Sequence, residues 1–328
     1  MPRRWCTVSR PQARWRKLDA RWSNRPDPIS GENVRAEDAM IQVILFNVTN
    51  GLIIGAFYVL MALGLSLILN LSNVINFSHG NFLALGGYLA FTLAPALGYW
   101  GALLVSPLIT AIIGLAVERL MIRRVYNRDP VYSLLLTFGF AFVMQDMARY
   151  VWGPNGLPLG LPEFLAQPIS SSLFFITWYR VFMVAVVIIA VLGLFAFLRY
   201  TRVGVRIRAG TLDLETVASL GVNISLLRTF NFALGCMLAG LSGVLAAGQI
   251  GLNPNMGDDL LMPSFIAIIV GGVGSLIGTL FGGLLIGLAA ALTTVVFPAA
   301  SEAVIYAIMM VVLLVRPRGL MGEEGMMS

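Results

Sequence analysis

Apolar runs long enough to cross about 30 Å of hydrocarbon, which takes roughly 20 helical residues each, recur along the chain from residue 42 to residue 315. They fall near 42–69, 73–94, 98–117, 131–151, 181–198, 229–251, 262–279, 281–297 and 300–315, separated by short polar or glycine-rich connections. This pattern predicts an all-α fold, a polytopic transmembrane helical bundle of about eight to nine spans. Composition agrees: 58% of the 328 residues are hydrophobic and 12% charged, where roughly a quarter is usual in a soluble domain.

The connections carry unequal charge. Residues 118–130 hold Arg119, Arg123, Arg124 and Arg128, and residues 199–228 hold Arg199, Arg202, Arg206, Arg208 and Arg228. Both are expected on the cytoplasmic side by the positive-inside rule, whereas 152–180, with only Arg180 and Glu163, fits the external side. Arg316 and Arg318 place the C-terminus inside, so an even number of spans follows Arg228. The uncharged stretch 260–301, about two spans long, is then two short helices with a glycine turn near Gly282 and Gly283.

Residues 1–39 carry nine basic residues against five acidic ones and no apolar core of a secretory signal, and read as a disordered basic tail. Two readings stand for it: a cytoplasmic arm leaning on anionic lipid, or an upstream-extended gene model whose true start is Met40. Counting spans backward from 118–130 puts the start of the first span outside, which favours Met40. The chain then divides into this tail, a transmembrane domain over 40–320 and a short tail at 321–328.

One polar run interrupts the apolar pattern. Asn70, Ser72, Asn73, Asn76, Ser78, His79, Gly80 and Asn81 crowd into twelve residues between two strongly apolar segments. Such a run either unwinds a helix at membrane depth, as in transport pathways, or forms a solvated turn between spans. The regions 42–94 and 229–297 share the order of apolar helix, polar break and glycine-rich helix, in opposite orientations by the span count, as an inverted repeat would. Gly274, Gly278 and Gly282, then Gly283 and Gly287, then Gly51 and Gly55, recur at spacings of four, which lets helix backbones approach closely. Gln145, Asp146, Gln249, Asp258, Asp259 and Glu302 lie within or beside spans and read first as interfacial, second as lining a pathway.

Catalytic chemistry finds little support. The single His79, and Cys6 and Cys236 without CxxC spacing, make no metal site or nucleophile and base pair, and no GxxxxGK[ST] occurs to hold ATP. No catalytic residue, metal or cofactor is expected on this chain, and no nucleic-acid partner.

The longest cytoplasmic connection reads RYTRVGVRIRAGTLDLETVASLGVNISLLR. Thr211 suits an N-cap, Asp213 and Glu215 a first turn, and Leu214, Val217, Ala218 and Leu220 give a short helix an apolar side. Such a helix docks on a soluble partner or lies on the membrane surface. Together with NGLIIGAFYVLMALGLSLILNLSNVINFSHGNFLALGGYLA (50–90) and FIAIIVGGVGSLIGTLFGGLLIG (265–287), this loop resembles the permease subunits of branched-chain amino acid ABC importers. The resemblance covers nearly all of 40–320, in order, and family members begin shortly before the NGL motif.

The resemblance implies an inner-membrane, multi-pass permease subunit working with a second homologous permease, two cytoplasmic ATPases that bind the ATP, and an external substrate-binding protein. It implies that Glu215–Gly221 contacts the ATPase, with Ala218 and Gly221 at the motif's small positions and Val217 departing from it. In that setting Asn73, Asn76, Ser78, His79 and Asn81 are the candidate pathway residues, meeting a zwitterion with amides, hydroxyls and half-helix ends. Branched-chain or other small apolar amino acids are the expected cargo, with urea or short amides as the alternative within the family. A self-sufficient secondary transporter or channel is the alternative outside it, and calls for membrane-buried carboxylates.

Overall fold

The computed structural model describes residues 28–126, 128–170 and 175–322. The chain divides into two compact units, Met1–Leu45 and Phe46–Ser328. Helix α1 is Pro28–Ser72; residues 1–27, most of the basic tail, and 323–328 at the other end lie outside the described residues. The bundle continues with α2 (His79–Leu120), α3 (Pro130–Trp152), the short α4 (Glu163–Ala166), α5 (Trp178–Tyr200), α6 (Arg202–Leu212), α7 (Leu214–Ser219), α8 (Ile224–Ile250), α9 (Met256–Gly271), α10 (Leu276–Val296) and α11 (Ser301–Val315). Two three-residue strands, Pro168–Ser170 and Phe175–Thr177, pair antiparallel before α5.

Among the described residues, seven helices are long and apolar enough to cross a membrane. The spans expected at 73–94 and 98–117 fall in the single element α2, which is interrupted at Gly98, where φ is 68° and ψ 172°, just after Pro95. A proline ring clashes with the preceding turn and Gly98 adopts a backbone closed to other residues, so the apolar run bends there. The span expected at 262–279 is replaced by α9, which is 16 residues long and starts earlier.

The glycine turn is not at Gly282 and Gly283 but at Gly272–Ser275. Gly272 (φ 108°) and Gly274 (φ 98°) take left-handed conformations that side chains oppose. Ser275 then caps α10, its Oγ accepting from the Gly278 N–H at 3.0 Å. Gly282 and Gly283 lie inside α10, where they serve helix contact instead. A Cβ on Gly283 would lie 2.7 Å from a Val59 methyl, Gly287 meets Gly55, Gly282 faces the Ala267 carbonyl and Gly278 faces Gly271. Of the glycines expected to bring helices together, Gly274 is therefore a turn residue.

Several glycine pairs are reciprocal, Gly271 with Gly278 across the glycine turn among them. A Cβ on Gly64 would lie 2.8 Å from the Gly235 oxygen, and one on Gly235 would lie 2.7 Å from the Gly64 oxygen. Gly80 and Gly257, in the first turns of α2 and α9, face each other's carbonyls more closely still. The order of helix, break and helix in α1, 73–78 and α2 recurs in α8, 251–255 and α9, within the two regions whose sequences look alike.

The loops that carry Arg123, Arg124, Arg128 and Arg202–Arg208 lie at the same end of the bundle as the glycine turn and residues 316–322. The Leu320 N–H donates to the Val270 carbonyl at 2.9 Å, and Gly210 packs on Leu71. At the other end, Leu157 and Leu252 exchange backbone hydrogen bonds of 2.9 and 2.8 Å.

Candidate functional site

Helix α1 stops because Asn73 turns left-handed (φ 52°), a conformation asparagine tolerates better than most residues, with its N–H on the Leu69 carbonyl. The chain then doubles back. Gly64 precedes Ser72 by eight residues, about 12 Å along a helix, yet a Cβ on Gly64 would lie 3.1 Å from His79 Nε2. Residues 73–78 thus re-enter the bundle, and α2 starts at the depth of Gly64. Thr137 on α3 holds the irregular backbone, accepting from the Phe77 N–H at 3.2 Å and donating to the Ile75 carbonyl at 3.3 Å.

The polar run is therefore no solvated turn. Asn76, Ser78, His79 and Asn81 are buried to 3% exposure or less, and only Asn73 stands apart, exposed. Asn76 Oδ1 accepts from the Ser78 N–H at 3.2 Å and from its hydroxyl at 2.7 Å. Asn76 Nδ2 and Asn81 Nδ2 have no partner among the described residues, and the His79 ring makes no well-formed hydrogen bond, the Met61 carbonyl being the acceptor within reach. Unpaired buried polar atoms at this density are costly, of order 1–3 kcal/mol each, and mark a place where the arrangement is kept for something other than stability.

Beside the break lies a slot of about 110 Å³ between α3 and α9, walled by Phe77, Phe138, Phe142, Leu261 and Met262 and ended by Gln145 and Asp258. Gln145 Nε2 donates to Asp258 Oδ2 and to Asn255 Oδ1, both at 3.0 Å. Arg149 joins from its own helix, donating to Asn255 Oδ1 at 2.9 Å and pairing with Asp146 at 2.9 Å. The slot borders Phe77 alone of the break, so its polar groups are Gln145 and Asp258. Their spacing of 113 residues hid the pairing from sequence reasoning, although each stood among the polar residues within spans.

At the arginine-rich end, the surface helix α7 is capped by Asp213 and not by Thr211, which lies inside α6. Asp213 Oδ1 accepts from the Glu215 and Thr216 N–H groups, both at 3.0 Å, and Oδ2 from the Thr216 hydroxyl. Those bonds, the Thr216 hydroxyl first, hold the Asp213 carboxyl below its ordinary value of 3.8. The cap is accordingly intact above pH 3.8 and is lost as pH falls through the lowered value. Hydrogen exchange at Glu215 and Thr216 is expected to accelerate on that descent and to be fast at every pH in Asp213→Ala.

The apolar side expected for α7 splits. Val217 is buried and Leu214 half-buried against the bundle, whereas Ala218, Leu220 and Gly221 face outward with Glu215, Leu220 at 78% exposure. Gly221 closes the helix in a left-handed turn (φ 82°).

A second buried group went unread in the sequence. Glu118, fully buried near the end of α2, accepts from the Thr229 hydroxyl at 2.6 Å. Next to Thr229, Arg228 stands 4.7 Å over the Tyr126 ring, whose phenol is pushed above its ordinary range by burial and then by the Glu118 carboxylate. Asn231 Nδ2 donates to the Leu67 carbonyl near the end of α1. The first two turns of α8 thus grip the ends of α1 and α2.

Residues 47–313 match the family model described as the branched-chain amino acid transport system permease component. The chain belongs to that family. This permease is 32% identical over 294 residues to the high-affinity branched-chain amino acid transport system permease protein LivH of Salmonella typhimurium, covering 84% of this chain and 94% of that one. It is 29% identical over 294 residues to BraD of Pseudomonas aeruginosa, a protein of the same description, covering 85% and 96%. The autoinducer 2 import system permease protein LsrC of Yersinia pestis is 28% identical over 226 residues, with 67% of this chain and 60% of that one covered. Among solved structures, PsaBC from Streptococcus pneumoniae in complex with Fab aligns with a TM-score of 0.44 at 13% identity, covering 81% of this chain and 89% of that one. The relatives are transport permease components and not enzymes, and the chain is a multi-pass ABC importer permease. Among the described residues, no group of three or more His, Cys, Asp or Glu could hold a metal ion.

Proposed function

We propose that this permease carries branched-chain amino acids inward across the inner membrane, with its C-terminus and arginine-rich loops in the cytoplasm. It pairs with a second homologous permease and two ATPases that bind ATP, and takes substrate from an external binding protein. The observation that carries this reading is the slot at the re-entrant break. Its walls are aromatic and aliphatic, its end is a carboxylate and an amide, and beside it the half-helices α2 and α9 begin at His79 and Met256. A branched aliphatic side chain fits such walls, Asp258 suits an ammonium group, and half-helix N-termini suit a carboxylate. Apolar walls speak against urea as the main cargo. The slot is small beside the roughly 300–1,000 Å³ usual for ligand pockets, which fits a closed stage of the transport cycle. The Asn76 and Asn81 side-chain amino groups and the His79 ring take partners in a stage where the pathway opens, and Ser78 holds the Asn76 oxygen meanwhile.

The test is uptake of labelled leucine, against urea and an acidic amino acid, in proteoliposomes holding the full chain with its partner permease, ATPases and binding protein. Leucine uptake that vanishes without the ATPases or the binding protein supports the reading. Uptake by this chain alone, indifferent to ATP, would overturn it in favour of a secondary transporter or channel. Asp258→Asn removes the charge while keeping an oxygen for Gln145, and charged hydrogen bonds are worth about 1.5–3 kcal/mol. Leucine uptake is therefore expected to fall about tenfold or more in that variant, with ATP hydrolysis retained.

A further inference from the structure

We propose that an open cavity at the arginine-rich end of the bundle, between α5, α6 and the start of α10, binds an anionic phospholipid by its headgroup. The cavity holds about 700 Å³, and its lining includes Arg199 and Arg208 and no carboxylate. Neither arginine has a carboxylate within 4.0 Å among the described residues, and Arg199 lies 5.7 Å over the Tyr200 ring. The opposite walls are apolar: Leu192 and Phe195 from α5, Leu276 and Ile277 from α10.

Those walls do not close over the space. Leu192 is 63% exposed and Ile277 54%, and the apolar surface runs on along the same helices through Ile189 at 69% and Phe281 at 49%. Both helices are long and apolar enough to cross a membrane, so this surface lies at a depth that acyl chains can reach. The cavity thus joins a hydrocarbon-facing side to a cationic end, at the level where α5 gives way to the surface helix α6. A phosphate diester carrying acyl chains matches both ends at once, and basic pockets between helices on the cytoplasmic side recognise such headgroups. A free phosphate would satisfy the arginines alone and leave the apolar walls unused. A soluble nucleotide would have to set its sugar and base against a lipid-facing wall.

The test uses the full chain assembled with its partner subunits, purified in mild detergent and stripped of native lipid. Binding of fluorescent phosphatidylglycerol is measured against phosphatidylcholine, with inorganic phosphate as competitor. Phosphatidylglycerol is expected to bind saturably, phosphatidylcholine at least tenfold more weakly, and millimolar phosphate not to compete. Arg199→Gln with Arg208→Gln is expected to weaken phosphatidylglycerol about tenfold, while Arg199→Lys with Arg208→Lys and the off-cavity Arg202→Gln retain it. Should the glutamine pair disturb folding, Ile277→Glu sets a carboxylate on the exposed wall and is expected to weaken the same lipid. Equal binding of the two lipids, unaltered binding in the glutamine and Ile277→Glu variants, or displacement by inorganic phosphate would each overturn the proposal. Leucine uptake is measured separately, so the lipid site stands or falls independently of the substrate.

Discussion

Gly80→Ala is expected to destabilise this permease markedly and to abolish its uptake, although it adds a single methyl group. The Cβ would project onto the Gly257 carbonyl, and Gly257 in turn packs on the Gly80 carbonyl, so both obstacles are backbone. Flexible side chains can yield to an added methyl; two helix starts that also anchor the re-entrant segment cannot separate without dragging His79 and the slot with them. Overpacking a tight core costs about 1–3 kcal/mol and occasionally more, against a total stability of roughly 5–15 kcal/mol. Rigid backbone on both sides puts this case at the upper end, a fall in Tm of about 5 °C or more in detergent, with loss of uptake. Gly257→Ala should behave alike, because the contact is reciprocal. Gly139→Ala is the control: nothing lies within 4 Å of its added methyl, and alanine is the better helix former by about 1 kcal/mol. A Gly80→Ala protein that melts with the wild type would show that the two helix starts do not meet.

The same glycines show how far the sequence could be read. A polar run inside an apolar one is unmistakable, and the break between α1 and α2 was legible from Asn73 to Asn81. Glycine is ambiguous because it serves two purposes. Gly272 and Gly274 provide left-handed backbone for a turn, Gly282 and Gly283 provide close approach within a helix, and the local sequences of the two pairs are alike. Hence the turn was expected ten residues late.

Thr211 and Asp213 are both cap formers two residues apart, and only the geometry, with two N–H groups on one Asp213 oxygen, chooses between them. Glu118 was illegible for another reason. It stands beside Arg119 at the edge of a basic connection, where a carboxylate is ordinarily solvated; burial comes from Thr229, 111 residues later. Gln145 and Asp258 likewise become a pair only when α3 and α9 meet. Local signals mark helices and their ends, while depth and partnership are tertiary facts.

The second large effect is expected at the outward face of α7. Ala218→Asp with Leu220→Asp should reduce ATP-driven uptake by more than tenfold while the permease remains folded and inserted. Both side chains face away from the bundle, so charges placed there disturb no packing within the chain. In an interface with an ATPase, the same charges would be desolvated without partners, a loss of several kcal/mol for a buried unpaired ion.

The path inward from α7 is short. Asn223 caps α8, its Oδ1 accepting from the Leu226 N–H at 3.1 Å. Arg228 then stacks on Tyr126, and Thr229 holds Glu118. Asn231 reaches the Leu67 carbonyl, five residues before α1 breaks. A displacement of α7 therefore bears first on the two helices that flank the re-entrant segment, where the proposed pathway lies. The decisive comparison is between the aspartate pair and Glu118→Gln. The former should lose co-purification with the ATPases as well as uptake. Glu118→Gln should keep the ATPases bound and their ATP hydrolysis, yet uncouple it from leucine uptake, because the surface is intact and the link behind it is weakened. Aspartate variants that bind the ATPases and transport normally would place the coupling surface elsewhere on this permease.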